Sequence, residues 1–260
     1  MLKRLIGVIT VKNNWAVQSI GYKKYLPLGR PEVIAENYDR WLLDEIIVVD
    51  IDRSKYNLGP NFELLKKITS KALMTPLCYM GGIRDSSDAL ELIRKGADRV
   101  AIDSLFRKEP DSVSEIVDAI GRQAVIRVQP ALIEGRDVLG YDHLTRCSTG
   151  IIDTQKLVDD QLNFSELMIV DVENEGGMDS FSTELVDYFE RINLQLICFG
   201  GVTSAQKIGC LFSKTNVSAV AIGNSLSYRE MPHKSLLTQT EVDRARVTSF
   251  GETTKGAKEW

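Results

Sequence analysis

Cysteine and histidine are scarce in this chain of 260 residues, which contains four cysteines and two histidines. The cysteines form no Cys-x-x-Cys pair and lack the spacing of a zinc site, so they predict reduced thiols rather than a disulfide framework. The two histidines offer no Ser-His-Asp or Cys-His arrangement. We expect His143 on a surface loop and His233 on a C-terminal helix.

The chain also lacks a positive net charge and a long apolar run. Its formal net charge is −4, which argues against nucleic acid as a partner. No apolar stretch reaches the ~18 residues that a membrane span needs, and the first apolar run ends at Lys12, too early for a signal peptide. There is no Gly-x-Gly-x-x-Gly turn. The sequence predicts a cytoplasmic protein with no membrane partner and no cofactor.

What recurs instead is a short apolar run typical of a strand buried on both faces. Eight such runs lie at 5–11, 45–51, 76–82, 99–103, 124–129, 166–172, 195–201 and 219–225. Helix-like segments separate them, with Pro31 in a first-turn position and Gly96 and Gly121 at helix ends. Eight β–α alternations predict a closed (β/α)₈ TIM barrel, with a doubly wound open sheet as the alternative.

The two halves of the chain repeat each other. DEIIVVDID at 44–52 matches SELMIVDVE at 165–173. One half-barrel cannot close its own sheet, whereas two copies can. We therefore predict a single α/β barrel over 1–236, built from half-barrels at about 1–122 and 123–236, followed by a partly helical or loosely ordered tail at 237–260.

A Gly-Gly turn ends one predicted strand in each half, in MGGIRD and in FGGVTS. Backbone N–H groups of such turns can approach an anion closely, and the loops after the strands form the active face of a barrel. The glycines serve either as tight turns only or as two phosphate cradles, and their double occurrence favours the cradles. The predicted phosphate-binding residues are Gly81, Gly82, Ser104, Gly200, Gly201, Asn224 and Ser225.

These motifs resemble those of the cyclase subunit of imidazole glycerol phosphate synthase, a duplicated half-barrel enzyme of histidine biosynthesis. The likeness runs from MLKRLIGVITVK to YREM and is carried by DEIIVVDI, GGIRD, KGADRVAI, GRQAVI, STGI and NSL. The resemblance implies a small-molecule substrate with a phosphate at each end, one for each half-barrel. It also places Gly176 in the second cradle.

The two aspartates that the resemblance implies as general acid and base are missing. Their positions, at the ends of the first and fifth predicted strands, hold Thr10 and Pro130. Neither side chain takes up a proton near neutral pH, and the neighbouring amide of Gln129 is not a base. Closure of an imidazole ring needs such proton transfers. We therefore expect no histidine-pathway cyclisation, and the catalytic residues remain unassigned.

Acidic residues crowd the predicted strand ends. Asp103 stands where the resemblance places a neutral amide beside a phosphate, and a carboxylate there would repel an anion. We therefore expect an anion to bind first at Gly200 and Gly201. The acidic residues either cap loops and helices or bind a divalent cation, and we expect no metal. They are Asp50, Asp52, Asp103, Asp171, Glu173 and Glu175.

The resemblance implies a second role for the opposite end of the barrel. There the family docks a glutaminase and admits its ammonia through a ring of four charged side chains. Matching charges stand here at Arg4, Glu45, Arg99 and Glu166. Asp98 matches a residue of the glutaminase contact. Without the resemblance these are ordinary charged strand starts; with it, we expect an ammonia gate and a heterodimer with a glutaminase.

Three functions are compatible with this sequence. The first is a cyclase-like synthase subunit of a glutamine amidotransferase that passes ammonia to a phosphorylated or sugar-derived acceptor in surface-polysaccharide biosynthesis, with an asparagine-synthase-like protein as a third partner. The second is a genuine histidine-pathway cyclase subunit. The third is a non-catalytic scaffold that conducts ammonia. The missing aspartates beside a complete ring favour the first.

Two expectations concern the region after the first strand. YKKYLPLGRP at 22–31 suggests a mobile loop near the barrel mouth. Trp15 and Trp41 are expected to be packing residues rather than ligand platforms.

Overall fold

A computed structural model of the chain describes residues 2–228. In this range the strands are β1 (Arg4–Lys12), β2 (Trp15–Ile20), β3 (Lys24–Gly29), β4 (Glu45–Asp50), β5 (Leu77–Met80), β6 (Arg99–Ile102), β7 (Val125–Glu134), β8 (Asp137–Asp142), β9 (Cys147–Ile151), β10 (Glu166–Asp171), β11 (Leu196–Phe199) and β12 (Val217–Ile222). The α-helices are α1 (Pro31–Arg40), α2 (Ile51–Lys55), α3 (Phe62–Thr69), α4 (Ser86–Arg94), α5 (Leu105–Lys108), α6 (Pro110–Ile120), α7 (Thr154–Asp159), α8 (Thr183–Phe189) and α9 (Ala205–Phe212).

Eight of the strands form a closed parallel barrel. Their order around it is β1, β4, β5, β6, β7, β10, β11 and β12, and β12 pairs with β1 to complete the circle. Strands β7 and β10, which belong to the second half, pair in parallel just as β1 and β4 do in the first. The predicted TIM barrel is confirmed, and the open sheet is excluded.

Side-chain alternation along each strand builds two apolar layers. On β1, Ile6 and Val8 lie in a cluster to which alternate residues of all eight barrel strands contribute, and this cluster fills the lumen. Leu5 and Ile9 lie in the larger cluster between the barrel and its helices. The odd or even position of a residue along its strand, called its parity below, therefore determines whether its side chain faces the lumen. At the carboxyl end of a strand, a side chain with lumen-facing parity faces the barrel mouth.

Each half-barrel also carries an antiparallel hairpin after its first strand. β2 pairs with β1 and β3, while β8 pairs with β7 and β9. The expected mobile loop at 22–31 is therefore wrong, because most of this segment is strand β3. Trp41 is a packing residue as expected, because it lies against the core and the ring of Tyr38. Trp15 does not fit that expectation, since it is 54% exposed.

The Gly-Gly pairs lie just beyond β5 and β11, because each of these strands ends two residues before the end that the sequence predicted. Gly81 has φ +130°, and a Cβ there would lie 2.3 Å from the carbonyl oxygen of Asp50. Gly200 has φ +116°, and a Cβ there would lie 2.6 Å from the carbonyl oxygen of Asp171. The close approach of two strand ends thus requires glycine at matched points of both halves.

Two expectations fall on residues that the structure does not describe. His233 and the tail at 237–260 lie outside residues 2–228. Within that range, no helix combines the length and the apolar character needed to cross a lipid bilayer.

Candidate functional site

A cavity lies at the carboxyl ends of the strands, in the mouth of the barrel. Its volume is about 180 Å³. Its floor is apolar and belongs to the lumen, with Val128, Met168 and Phe199 among its residues. The first predicted cradle lines its side: Gly81, Gly82 and Ser104 all contribute. The fold therefore brings these three predicted residues together.

Basic and aromatic side chains form much of the remaining wall, and Tyr22, Lys23 and Tyr25 among them belong to the segment at 22–31 that the sequence placed near the mouth. The basic residues are Lys12, Lys23, Lys55 and Arg146, and the aromatic ones are Tyr22, Tyr25, Tyr141 and His143. The Nζ atom of Lys12 lies 4.0 Å from the ring centroid of Tyr25, a cation–π geometry. Most of these side chains come from the two hairpins and their turns, so hairpins that went unpredicted supply much of the wall.

His143 joins the two hairpins across the mouth. It follows β8, and its ring centroid lies 4.5 Å from that of Tyr22 and 5.1 Å from that of Tyr141. Burial lowers the pKa of His143 to about 4, so its imidazole is neutral at physiological pH. The expected surface position of His143 is wrong, because the hairpin turn folds inward over the cavity.

Asp103 faces the cavity, but it is not an isolated charge. Its Oδ1 atom lies 2.6 Å from Nη1 of Arg107, one helical turn later, and Arg107 also lies 3.5 Å from a carboxylate oxygen of Asp142. Burial raises the pKa of Asp103 to about 6, although Arg107 opposes the shift. The repulsion expected at the first cradle is therefore offset by a paired guanidinium.

The second predicted cradle is a separate and much smaller space of about 20 Å³. It is lined by the residues that the sequence and the resemblance assigned to it, together with Thr10 and Glu175. Within the described range, the hydroxyl of Ser225 is buried and has no hydrogen-bond partner. The assigned residues in this second space are Gly176, Gly200, Gly201, Asn224 and Ser225.

The acidic strand-end residues are mostly engaged in local hydrogen bonds. Asp50 accepts a bond from the Asn61 amide, and Asp52 accepts one from the backbone of Asn13. Asp171 accepts bonds from Asn174 and from the Ser182 backbone. Among residues 2–228, no group of three or more acidic, histidine or cysteine side chains is arranged to hold a metal ion. Four of the acidic residues thus stabilise loops, as the capping interpretation proposed, while Glu173 is exposed.

Thr10 and Pro130 lie where the barrel opens. Both have the lumen-facing parity of their strands, and both are buried. Gln129 has the opposite parity and lies on the outer side of β7, where its amide donates to the Pro130 carbonyl at 3.0 Å. The amide of Gln129 therefore cannot replace a missing acid or base in the mouth.

At the opposite end of the barrel, the four predicted gate residues form a closed ring of ion pairs. Arg4 pairs with Glu45 at 2.8 Å and with Glu166. Arg99 pairs with Glu45 at 3.3 Å and with Glu166 at 2.8 Å. All four side chains have lumen-facing parity, so the ring spans the floor of the barrel beneath the apolar lumen.

Burial and charge act against each other in this ring. Burial raises the pKa of Glu45, whose side chain is 3% exposed. Burial alone would also raise the pKa of Glu166, but Arg4 and Arg99 outweigh it and hold that pKa below its ordinary value. Asp98, predicted at the partner contact, is exposed and accepts a 2.7 Å bond from the Leu77 backbone.

The geometry can now be compared with known proteins. A family model described as histidine biosynthesis protein matches residues 4–232. The chain belongs to this family. The resemblance to the cyclase subunit of imidazole glycerol phosphate synthase is confirmed.

Several individual relatives are named as subunits of imidazole glycerol phosphate synthase. The imidazole glycerol phosphate synthase subunit HisF of Dehalococcoides mccartyi is 27% identical over 228 residues, 87% of this chain and 90% of the relative. Proteins provisionally named imidazole glycerol phosphate synthase subunit hisF2 are 26% identical in Vibrio vulnificus, over 95% of this chain and 91% of the relative, and 24% identical in Pseudomonas aeruginosa, over 94% and 98%.

Proposed function

We propose that this chain is the synthase subunit of a glutamine amidotransferase, which receives ammonia from a separate glutaminase and transfers it to a phosphorylated acceptor in the barrel mouth. The observation that carries the proposal is the closed ring of Arg4, Glu45, Arg99 and Glu166 in a member of this family. Bringing four charges together at a barrel floor is costly unless every charge is paired. A stability role alone would be met as well by apolar side chains.

The lumen above the ring supports passage of a neutral molecule. Its lining is apolar and includes Ile47, Ile126 and Met168. An ammonium ion would lose its hydration in such surroundings at a large cost, whereas uncharged ammonia would not. The proposed route therefore runs from the glutaminase, through the ring, along the lumen and into the cavity at Gly81 and Ser104.

Two acceptors remain candidates for this function. The names of the relatives favour the histidine-pathway substrate, and with it a genuine cyclase subunit. The replacement of both proton-transfer groups by Thr10 and Pro130 favours a different phosphorylated or sugar-derived acceptor. We propose the second, with surface-polysaccharide synthesis as the setting; a third, asparagine-synthase-like partner is an additional part of this proposal.

The test is coupling to a glutaminase. The chain is mixed with glutaminase subunits encoded by its source organism, and glutaminase turnover and complex formation are measured. We expect the wild-type chain to stimulate turnover. Arg99→Glu places three acids in the ring and is expected to lower coupling at least ~10-fold, because one carboxylate then lacks a partner.

A matched control separates the ring from surface charge. Arg136→Glu makes the same charge reversal on the exposed turn between β7 and β8, at the opposite end of the barrel, and should leave coupling unchanged. Thermal unfolding of both variants checks that the barrel is intact. Equal coupling by wild type and Arg99→Glu, or the absence of stimulation by any glutaminase, would contradict the proposal.

A further inference from the structure

We propose that the mouth of this barrel takes a ligand with a single phosphate, bound by the cradle of Gly81, Gly82 and Ser104, and that the second cradle is closed. This deepens the proposed function by specifying its acceptor: a monophosphate ester whose far end carries no second phosphate. The second cradle is closed by the first hairpin, which covers the mouth from the side of β1.

The two cradles differ in the volume that is free beside them. The cavity at the first cradle measures about 180 Å³, against about 20 Å³ at the second. A cavity needs roughly 10–15 Å³ of such volume to hold one water molecule, and a phosphate group is larger than a water. The second cradle as folded therefore lacks room for a phosphate with its ester oxygen and attached carbon.

The hairpin fills this space through specific bonds. The amide of Asn224 donates to the Ser19 carbonyl at 2.5 Å, and the Ser19 N–H donates back to Asn224 at 3.2 Å. Both polar atoms of the Asn224 side chain, which the sequence assigned to phosphate binding, are thus used by β2. A Cβ on Gly176 would lie 2.6 Å from the same Ser19 carbonyl, so the glycine serves the approach of the hairpin.

Glu175 ties the turn of the hairpin to the same place. Its carboxylate accepts bonds from the Ser19 hydroxyl at 3.0 Å and from the Tyr22 backbone at 3.1 Å. Its backbone carbonyl accepts a third from Gly21 at 2.9 Å. Three residues of this segment, Ser19, Gly21 and Tyr22, are therefore held over the second cradle by Glu175 and Asn224 together.

The two cradles also differ in the charged side chains that line them. The larger cavity has four basic side chains on its wall against three acids, Asp50, Asp52 and Asp103, and Asp103 is paired with Arg107. The second cradle is lined by no lysine or arginine among the described residues, and it contains the buried carboxylate of Glu175. A phosphate dianion beside that carboxylate would be repelled in a region of low dielectric.

The buried hydroxyl of Ser225 is the one observation in favour of an anion at the second cradle. A single hydroxyl brings no charge, and it donates only one hydrogen bond. It does not offset the missing cation, the nearby carboxylate and the small volume. The first cradle is thus the preferred phosphate site, which reverses the order expected from the sequence.

The experiment compares one and two phosphates on otherwise similar probes. Ribose 5-phosphate and ribulose 1,5-bisphosphate are titrated into the full chain by calorimetry, without a glutaminase. We expect both to bind one per chain, with the bisphosphate within about threefold of the monophosphate. Ser104→Ala should weaken both about tenfold, because a hydrogen bond to a charged group is lost, and Ser225→Ala should change neither.

The following results would count against a closed second cradle. A bisphosphate that binds at least tenfold tighter, with the advantage lost in Ser225→Ala, would overturn it by showing an open second cradle. Weakening by Ser225→Ala but not by Ser104→Ala would overturn it as well. Lys55→Ala, on the exposed cavity wall, is a second variant for the first site should Ser104→Ala misfold. Because no glutaminase is present, failure here is distinguishable from failure of ammonia coupling.

Discussion

Thr10 and Pro130 occupy the same step of the two half-barrels. Thr10 pairs across the sheet with Val49, and Pro130 pairs with Val170. Each valine directly precedes the aspartate that ends its strand. Thr10 and Pro130 are therefore equivalent by strand register as well as by sequence position, so both halves lack, at the same point, an aspartate that the resemblance implies.

This symmetry predicts the outcome of a complementation experiment. Wild-type chain expressed in a histidine auxotroph that lacks its own cyclase subunit should not restore growth. A general acid or base contributes typically 10²–10⁴-fold, so the loss of two leaves little turnover. Growth without added histidine would contradict this prediction and would favour the genuine cyclase as the function. The auxotroph carrying an authentic HisF subunit is the positive control.

Much of the fold and part of the site could be predicted because the information is local or repeated. Apolar runs with turn residues between them place the eight barrel strands, and the internal repeat closes them into one barrel. Parity along a strand then determines that Arg4 and Glu45 face the lumen. The glycine pairs mark matched strand ends in the two halves, since each close approach of strands recurs in the other half.

The hairpins could not be predicted from the same signals. Strand β3 contains Pro27, which argues against a strand because proline cannot donate to a ladder. It is tolerated here because β3 pairs on one side only, with β2. The alternation of WAVQSI before a glycine was the available signal. With the hairpins missed, Tyr22 was expected only in a mobile loop near the mouth, and His143 could not be placed in the mouth.

A second prediction concerns the contribution of the ring to stability. Glu45→Ala leaves Arg4 with one carboxylate partner and Arg99 with one, in a buried position. Breaking a buried pair by removing one partner costs about 3–5 kcal/mol, and we expect a loss of that order in urea unfolding. Glu36→Ala removes a carboxylate that pairs at the surface with Arg40 and should cost no more than about 1 kcal/mol. Equal losses in the two variants would show that the ring pairs are not buried in solution.

A third prediction concerns the strand-end glycines. Gly81→Ala forces a Cβ to within 2.3 Å of a carbonyl oxygen at φ +130°, so we expect destabilisation of more than about 2 kcal/mol. Gly209→Ala is the matched control, since it lies inside helix α9 with no atom within 4 Å of the added Cβ. There alanine should stabilise by about 0.5–1 kcal/mol. Urea midpoints of both variants decide whether the close approach exists.

The last prediction concerns the pH dependence that Asp103 introduces. The groups that face it are Arg107 and Lys108 on its own loop and helix, and Asp142 beside His143 on the second hairpin. Burial dominates their sum and raises the pKa of Asp103 from 3.8 to about 6. The folded state therefore retains a proton that the unfolded chain releases between these two values, and stability falls as pH rises through that window.

Asp103→Asn removes this ionisation while keeping the shape of the side chain, and Arg107 retains Asp142 at 3.5 Å. At about 1.4 kcal/mol for each pKa unit, the stability of the variant relative to wild type should be higher at pH 7 than at pH 4 by about 1–3 kcal/mol. Other buried acids with raised pKa values, such as Glu175, affect both proteins alike and cancel in this difference. Asp111→Asn, which removes a carboxylate from the exposed first turn of α6, is the control for the loss of one negative charge. A relative stability of Asp103→Asn that falls as pH rises would mean that Arg107 outweighs burial, and that Asp103 is a stabilised carboxylate throughout the physiological range.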